Sequence, residues 1–298
     1  MKKILIAGGS GFLGAALCKA LIAQGHQLTV ISRDPEQVKK KLAVQAISLA
    51  DLTATQHFDV VINLTGAGIA EQRWSDERKK TLLDSRLQTT QALIDWMHQT
   101  AQKPTQFLSG SAIGWYGAQG EQTLTEQSSP HDEFVHQLCA VWEQCAQQAT
   151  DLGIPTVLLR TGVVLDPAGG MLAKVLLPFK LCLGGRLGDG QQWMSWISRD
   201  DWVSAVLFLI EQPAVTGPIN LCAPHPARNQ VFTQSLAKAL HRPAVFPMPA
   251  FVLQFLLGEM SGLLLDSQRV MPSRLEELGF LFRHPTLPDA FAHLTSQN

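Results

Sequence analysis

Gly8, Gly11 and Gly14 fall in the spacing G-x-x-G-x-x-G near the start of the chain. Glycines at such intervals let backbone come close to an anionic ligand, and the chemistry they suggest is capture of a pyrophosphate. Ile4-Leu5-Ile6 precedes them as an apolar run suited to a strand buried on both faces. Leu13, Leu17 and Leu21 follow at four-residue intervals, the stripe of an amphipathic helix that Gly25 ends. Strand, glycine turn and helix thus stand in the order a dinucleotide site requires. The free N–H groups and partial positive charge at the helix start favour a phosphate. The turn assigns Gly8, Ser10, Gly11, Phe12, Leu13 and Gly14 to cofactor binding.

The element that follows addresses which cofactor binds. A strand over 27–31 ends in Ser32-Arg33-Asp34-Pro35. A site for NAD places a carboxylate about 20 residues after the glycines. A hydroxyl and a guanidinium suit a 2′-phosphate instead. Ser32 and Arg33 therefore point to NADP(H), while Asp34 could still turn inward. A strand over 44–49 leads to Asp51, which suits either the adenine edge or a turn. A strand over 58–64 runs into Leu64-Thr65-Gly66, and such small residues let a cofactor lie over the sheet edge. A helix over 71–98, with Ser75 as its N-cap, carries Arg86 among apolar positions. Arg86 either reaches the surface or meets a cofactor phosphate. Trp74 is either core or pocket wall.

A strand over 105–109 leads to Ser109-Gly-Ser-Ala and a loop holding Trp115-Tyr116-Gly117. A helix over 134–148, a strand over 155–159 and a last strand at 219–221 complete the alternation. This order predicts the α/β class, a Rossmann-like doubly wound parallel sheet with a smaller mixed C-terminal substrate lobe. Residues 1–165, with 191–222 returning, are expected to form the NADP(H) domain. Residues 166–190 and 223–298 are expected to form the smaller lobe. Glycine pairs at 169–170 and 184–185 read as loops. Trp193, Trp196 and Trp202 suit a substrate pocket or packing between lobes, and Asp200-Asp201 suits helix capping. The apolar stretch 250–265 is broken by Gln254 and Glu259 and falls short of the roughly 18 uninterrupted residues of a membrane span. It reads as core or as a subunit contact.

With 298 residues and 46% hydrophobic content, the chain can bury a large core. A net charge of −1 gives no footprint for nucleic acid. Lys39, Lys40 and Lys41 read as a solvated helix face. The five cysteines are scattered without ligand spacing, so reduced core thiols and no metal are expected. The first residues lead directly into a strand, so no signal peptide is expected and the compartment is the cytoplasm.

The chain resembles the extended short-chain dehydrogenase/reductases of the NAD(P)-dependent epimerase/dehydratase family. The resemblance rests on the glycine turn, Asp59-Val-Val-Ile-Asn-Leu, Ser109-Gly-Ser-Ala before Tyr116-Gly117, Leu159-Arg160-Thr-Gly-Val-Val and Trp196-Ile-Ser-Arg-Asp-Asp201. More narrowly it is similar to the atypical epimerase family proteins, through Arg73-Trp74, Ser85-Arg86, the runs at 177–181 and 183–185, and 267–280, which resembles a C-terminal segment of unknown function. The resemblance implies NADP(H) at the sheet edge, a cofactor contact for Arg86 and Val164, and a substrate such as a nucleotide sugar. A homodimer is also expected, with no membrane partner.

The parent family exchanges protons through Tyr-x-x-x-Lys, but this chain has one tyrosine, Tyr116, followed four residues later by Gly120. On the helix where that motif belongs, the two registers give Phe134/Leu138 or Val135/Cys139, neither a phenol and ammonium pair. Ser111 matches the family's catalytic serine, and Tyr116 stands beside it, so both are expected to line the pocket. His136 reads as a surface histidine. Two functions follow: an NADP(H)-dependent oxidoreductase or epimerase with a rearranged acid/base set, or an NADP(H)-binding sensor without turnover.

Overall fold

Ile4 and Ile6 face one way from the opening strand and Leu5 and Ala7 the other, and all four are wholly buried, because helices cover both faces of the sheet. In the computed structural model, which describes residues 1–296, that strand is β1 (Lys3–Ala7). With it run β2 (Gln27–Ile31), β3 (Gln45–Ile47), β4 (Val60–Asn63), β5 (Gln106–Ala112), β6 (Thr156–Thr161) and β7 (Gly217–Leu221). Their spatial order is β7-β6-β5-β4-β1-β2-β3, and every pairing is parallel. The order reverses between β1 and β4, so the carboxyl ends of these strands open a crevice there. This is the Rossmann-like architecture expected from the alternation of elements.

One face packs on α1 (Phe12–Ala23) and α6 (Arg199–Ile210), through Leu17, Leu21, Trp202 and Val206. The other packs on α3 (Asp76–Gln99) and α4 (Phe134–Asp151), through Leu93, Trp96, Met97 and Ala146. A separate cluster unites Leu165, Trp196, Phe232 and Phe291 with α5 (Gly170–Lys180), α7 (Asn229–Ala239) and α11 (Leu287–Ser296). Between α7 and α11 lie α8 (Ala250–Leu257), α9 (Gly262–Leu265) and α10 (Ser273–Glu277).

Several boundaries depart from the sequence expectation, and some bear on chemistry. β5 runs on through Ser111 to Ala112, and β6 takes in Arg160, because each continues to pair with its neighbour. α5 forms where glycines suggested a loop. Gly170, at φ +66°, starts it, and Pro178 interrupts only its final turn. The helix read over 71–98 begins at Asp76, where Ser75 does cap it by accepting from the Arg78 N–H at 3.1 Å. Asp200-Asp201 is not the cap of α6, since Ser198 accepts from the Asp201 N–H at 3.1 Å. The buried Asp201 carboxylate instead accepts from the Arg283 and His284 N–H groups at 2.8 and 2.9 Å. Asp200 pairs with His293 at 2.8 Å. Trp196 and Trp202 are wholly buried packing residues. Of α8, Leu253 is buried, whereas Phe251 and Phe255 are 71% and 81% exposed, which removes the core reading for most of that stretch. No helix among the described residues is long and apolar enough to cross a membrane. No group of side chains among them could hold a metal ion.

Candidate functional site

The glycine turn closes through the Gly11 N–H donating to the Gly8 carbonyl at 3.1 Å. Gly8 sits at φ +82°, and a Cβ there would lie 2.7 Å from the Leu64 carbonyl. A Cβ on Gly14 would overlap the Gly8 carbonyl oxygen, so α1 can approach β1 only with glycine at this point. Gly11 is different. Its backbone is ordinary (φ −75°), and a Cβ would meet only the Gly8 oxygen, at 3.3 Å. Nothing inside the fold demands glycine there, and the space before it is open. α1 begins at Phe12 with no side-chain cap and no acidic residue in its first turn, so its free N–H groups face that space unneutralised. Ser10 is exposed beside them, Leu13 packs against the core, and the Phe12 ring packs on Gly169. These residues fit a dinucleotide pyrophosphate.

At the end of β2, Asp34 turns away to cap α2 (Pro35–Leu42), accepting from the Gln37 N–H at 3.0 Å. The Ser32 hydroxyl accepts from the Asp34 N–H at 3.1 Å. Arg33 is left exposed, with no hydrogen bond or ion pair among the described residues. Asp51 takes the turn role, in a capping box with Ser48 that lowers its pKa through the serine hydroxyl. Beyond β4, Thr65 is held by Asn63 Oδ1, which accepts from its N–H at 3.1 Å and its hydroxyl at 2.6 Å. Arg86 braces this loop from below. It donates to the Ala67 and Leu82 carbonyls at 3.2 and 2.9 Å, and its guanidinium carbon stands 3.0 Å from where a Gly66 Cβ would be. It pairs with no carboxylate among the described residues, and burial lowers its pKa. Val164 pairs with Ile197, and its carbonyl lies beside Gly170, next to the Phe12 ring.

Along the same sheet edge, a cleft of about 490 Å³ opens beyond β5 and β6. Its inner end is lined by Ala112, Ile113 and Gly114, by Thr161, Gly162 and Val163, and by Val135 and Cys139 of α4. Of the two registers, Val135 and Cys139 both line the cleft, whereas of the other pair Phe134 lines it and Leu138 is buried away from it. Burial pushes the Cys139 thiol up to about 12, so it is no thiolate near neutrality. The outer end lies between Trp74 and Phe134, whose rings meet edge to face at 5.0 Å, and Leu263, Asp266 and Gln268 of the C-terminal segment.

Ser111 and Tyr116 do not line this cleft, contrary to expectation. Both are buried in a polar network. The Ser111 hydroxyl donates to Glu143 Oε1 at 2.6 Å. Arg160 makes a two-point pair with the Glu143 carboxylate, both bonds at 2.8 Å, and stacks on the Trp115 ring at 3.5 Å. Arg160 also donates to the Tyr116 oxygen at 3.1 Å, and Tyr116 donates to Asn220 Oδ1 at 2.7 Å. Burial raises the phenol to about 12, with Arg160 acting in the opposite sense. The serine and the tyrosine are thus committed to joining β5, α4, β6 and β7. His136 is half-buried rather than on the surface, its Nδ1 at 2.6 Å from the Trp115 carbonyl. Asp266, Glu133 and Gln268 escaped the sequence reading. No local spacing marks them, since Asp266 and Gln268 reach the cleft from far along the chain.

Residues 4–222 match the NAD dependent epimerase/dehydratase family, and residues 248–294 match a domain of unknown function, DUF1731. An epimerase family protein of Staphylococcus aureus (strain MRSA252) is 36% identical over 303 residues, covering 100% of both chains. One from Staphylococcus haemolyticus (strain JCSC1435) is 36% identical over 99% of each. Among solved structures, human epimerase family protein SDR39U1 (isoform2) with NADPH is similar at a TM-score of 0.91 and 31% identity, over 99% of this chain and 100% of that one. A nucleoside-diphosphate sugar epimerase from Corynebacterium glutamicum is similar at 0.80 and 30% identity, over 99% of this chain and 58% of that one.

Proposed function

Because the chain belongs to the NAD dependent epimerase/dehydratase family, we propose that it binds NADP(H) at the glycine turn and acts as an oxidoreductase on a small molecule in the adjoining cleft. Arg33 carries the choice of the phosphorylated cofactor. It is a free guanidinium at the end of β2, where the competing carboxylate of Asp34 is spent on a helix cap. The uncapped start of α1 would hold the pyrophosphate, and Ser32 with Arg33 the 2′-phosphate. Thr65, Gly66 and the loop braced by Arg86 would lie under the middle of the dinucleotide, and Val164 near its far side. The bound cofactor supplies or accepts a hydride. In this reading residues 1–165 with 191–222 form the cofactor domain, and 166–190 with 223–298 cover the substrate.

The cleft supports turnover, since cofactor binding alone calls for no cavity beyond the strand ends. A second reading, a sensor of cofactor state without turnover, is favoured by one observation. Val135 and Cys139 stand in the cleft where a phenol and an ammonium do the family's proton transfer, and neither side chain can replace them. NADPH binding is read by its change in fluorescence on mixing with the chain. Turnover is read by loss of reduced-nicotinamide absorbance against a panel of carbonyl and imine compounds. Binding with turnover of any panel member supports the oxidoreductase. Binding with none supports the sensor, and no binding refutes both.

A further inference from the structure

The walls of the cleft bear on what it admits. A nucleoside diphosphate sugar brings a pyrophosphate, which needs cationic side chains or a helix start to offset its charge. No lysine or arginine is among the residues lining the cleft, nor among those lining the adjoining alcove of about 40 Å³, which shares Ile113, Val163, Leu263, Asp266 and Gln268 with it. α9, the helix at the outer wall, has four residues and offers no N-terminal site. The charged groups that do line the cleft are carboxylates. Two are already partnered: Glu259 pairs with Lys79, and Glu133 accepts from the Ala118 N–H at 3.1 Å and meets His131 at 2.9 Å. Lys79 itself lies over the Phe134 ring, 4.9 Å from its centre, and is taken up by Glu259.

Asp266 is the exception. Its carboxylate has no ion pair and no hydrogen-bond partner among the described residues. It folds back over Gly262, whose missing Cβ leaves it room, and it lines both the cleft and the alcove. Trp74 and Phe134 supply flat aromatic walls to the cleft, and Ile113 and Leu263 aliphatic ones. Resting on the reading of the cleft as the substrate site, we propose that it takes an organic ammonium, a flat apolar body carrying one protonated nitrogen that Asp266 receives, and that it excludes nucleoside diphosphate sugars. Burial, and then the charge of Glu133, raise the pKa of Asp266, the electrostatic demand that a bound cation relieves. Aromatic faces attract an ammonium further. In the reducing direction a protonated imine of this class takes the cofactor's hydride at carbon and leaves as the neutral amine, a step that needs no proton donor at Val135 or Cys139.

The test uses the full chain loaded with NADPH and titrated calorimetrically with phenethylamine, phenethyl alcohol and UDP-glucose. The expected result is saturable binding of phenethylamine, at least tenfold tighter than its neutral analogue, and no heat from UDP-glucose. Asp266→Asn should level the amine and the alcohol while NADPH affinity is unchanged. Gly262→Ala, which displaces the same carboxylate, should weaken the amine in the same direction. UDP-glucose binding more tightly than phenethylamine, no binding of phenethylamine, or an amine preference that survives Asp266→Asn each overturns the proposal. A chain that binds NADPH but ignores the amine refutes this inference alone. A chain that does not bind NADPH refutes the cofactor reading and, with it, the basis of this one.

Discussion

The state of Tyr116 can be tested directly, because it is the chain's one tyrosine. The perturbation is alkaline pH. Free tyrosine ionises near 10. In the fold Tyr116 is wholly buried, and burial, countered only in part by Arg160, raises its pKa to about 12. The unfolded chain therefore gives up the phenolic proton first, and unfolding releases a proton in the window between about 10 and 12. Stability contributed by the neutral phenol is present below the unfolded value and falls as pH rises through that window. At 1.36 kcal/mol per unit, the loss reaches on the order of 3 kcal/mol near pH 12. The assay is phenolate absorbance after a rapid pH jump, compared with the same chain in urea. The native signal should stay flat through pH 10 to 11, while the urea sample titrates near 10. A native midpoint close to 10 would show an exposed phenol, and the account of the buried network would fail. A phenol so held is no proton acceptor near neutrality, so the same measurement bears on whether Tyr116 takes part in chemistry.

Arg33→Ala should cost NADPH about 1.5–3 kcal/mol, the worth of hydrogen bonds to a charged group, or about ten- to 150-fold in affinity. Its exposure and lack of partners predict unchanged NADH binding and stability within about 0.5 kcal/mol. Parallel titrations with the two nucleotides decide this, and equal losses remove Arg33 from the 2′-phosphate. Gly11→Val and Gly14→Ala should separate binding from folding. The first should abolish NADPH binding at a smaller cost in urea midpoint, because its Cβ meets only the Gly8 oxygen at 3.3 Å; the second should destabilise by about 1–3 kcal/mol through overlap with the Gly8 carbonyl. Identical behaviour of the two variants contradicts the geometry of the turn. Glu143→Ala leaves the Arg160 guanidinium buried without its carboxylate and should cost about 3–5 kcal/mol in chemical denaturation. A loss below about 1 kcal/mol would mean that water reaches the network.

Some of this was legible because it is written in neighbouring residues. The glycine spacing, the apolar run before it and the leucine stripe after it all act within one β-turn-α unit, and Ser75 caps α3 through a contact three residues away. Whether Asp34 or Arg33 stays unpartnered at the end of β2 was already harder to read, since it turned on the helix that starts at Pro35. The phase of α4 against the sheet was beyond the sequence. Val135/Cys139 and Phe134/Leu138 have equal spacing, and packing alone decides which pair meets the cleft.

What the sequence by itself determined is the Rossmann-like sheet, the glycine turn between its first strand and helix, and the absence of any Tyr-x-x-x-Lys pattern, since periodicity, turn conformation and the absence of a residue type are properties of contiguous chain. Tertiary structure alone decided that Ser111 and Tyr116 are sealed in with Glu143, Arg160 and Asn220, that Asp201 holds the segment at Arg283–His284, and that Asp266 lines the cleft. Those partners lie up to 104 residues apart within the network. Which side chains meet across such a separation depends on how whole faces of helices and sheet dock, and no local pattern encodes that.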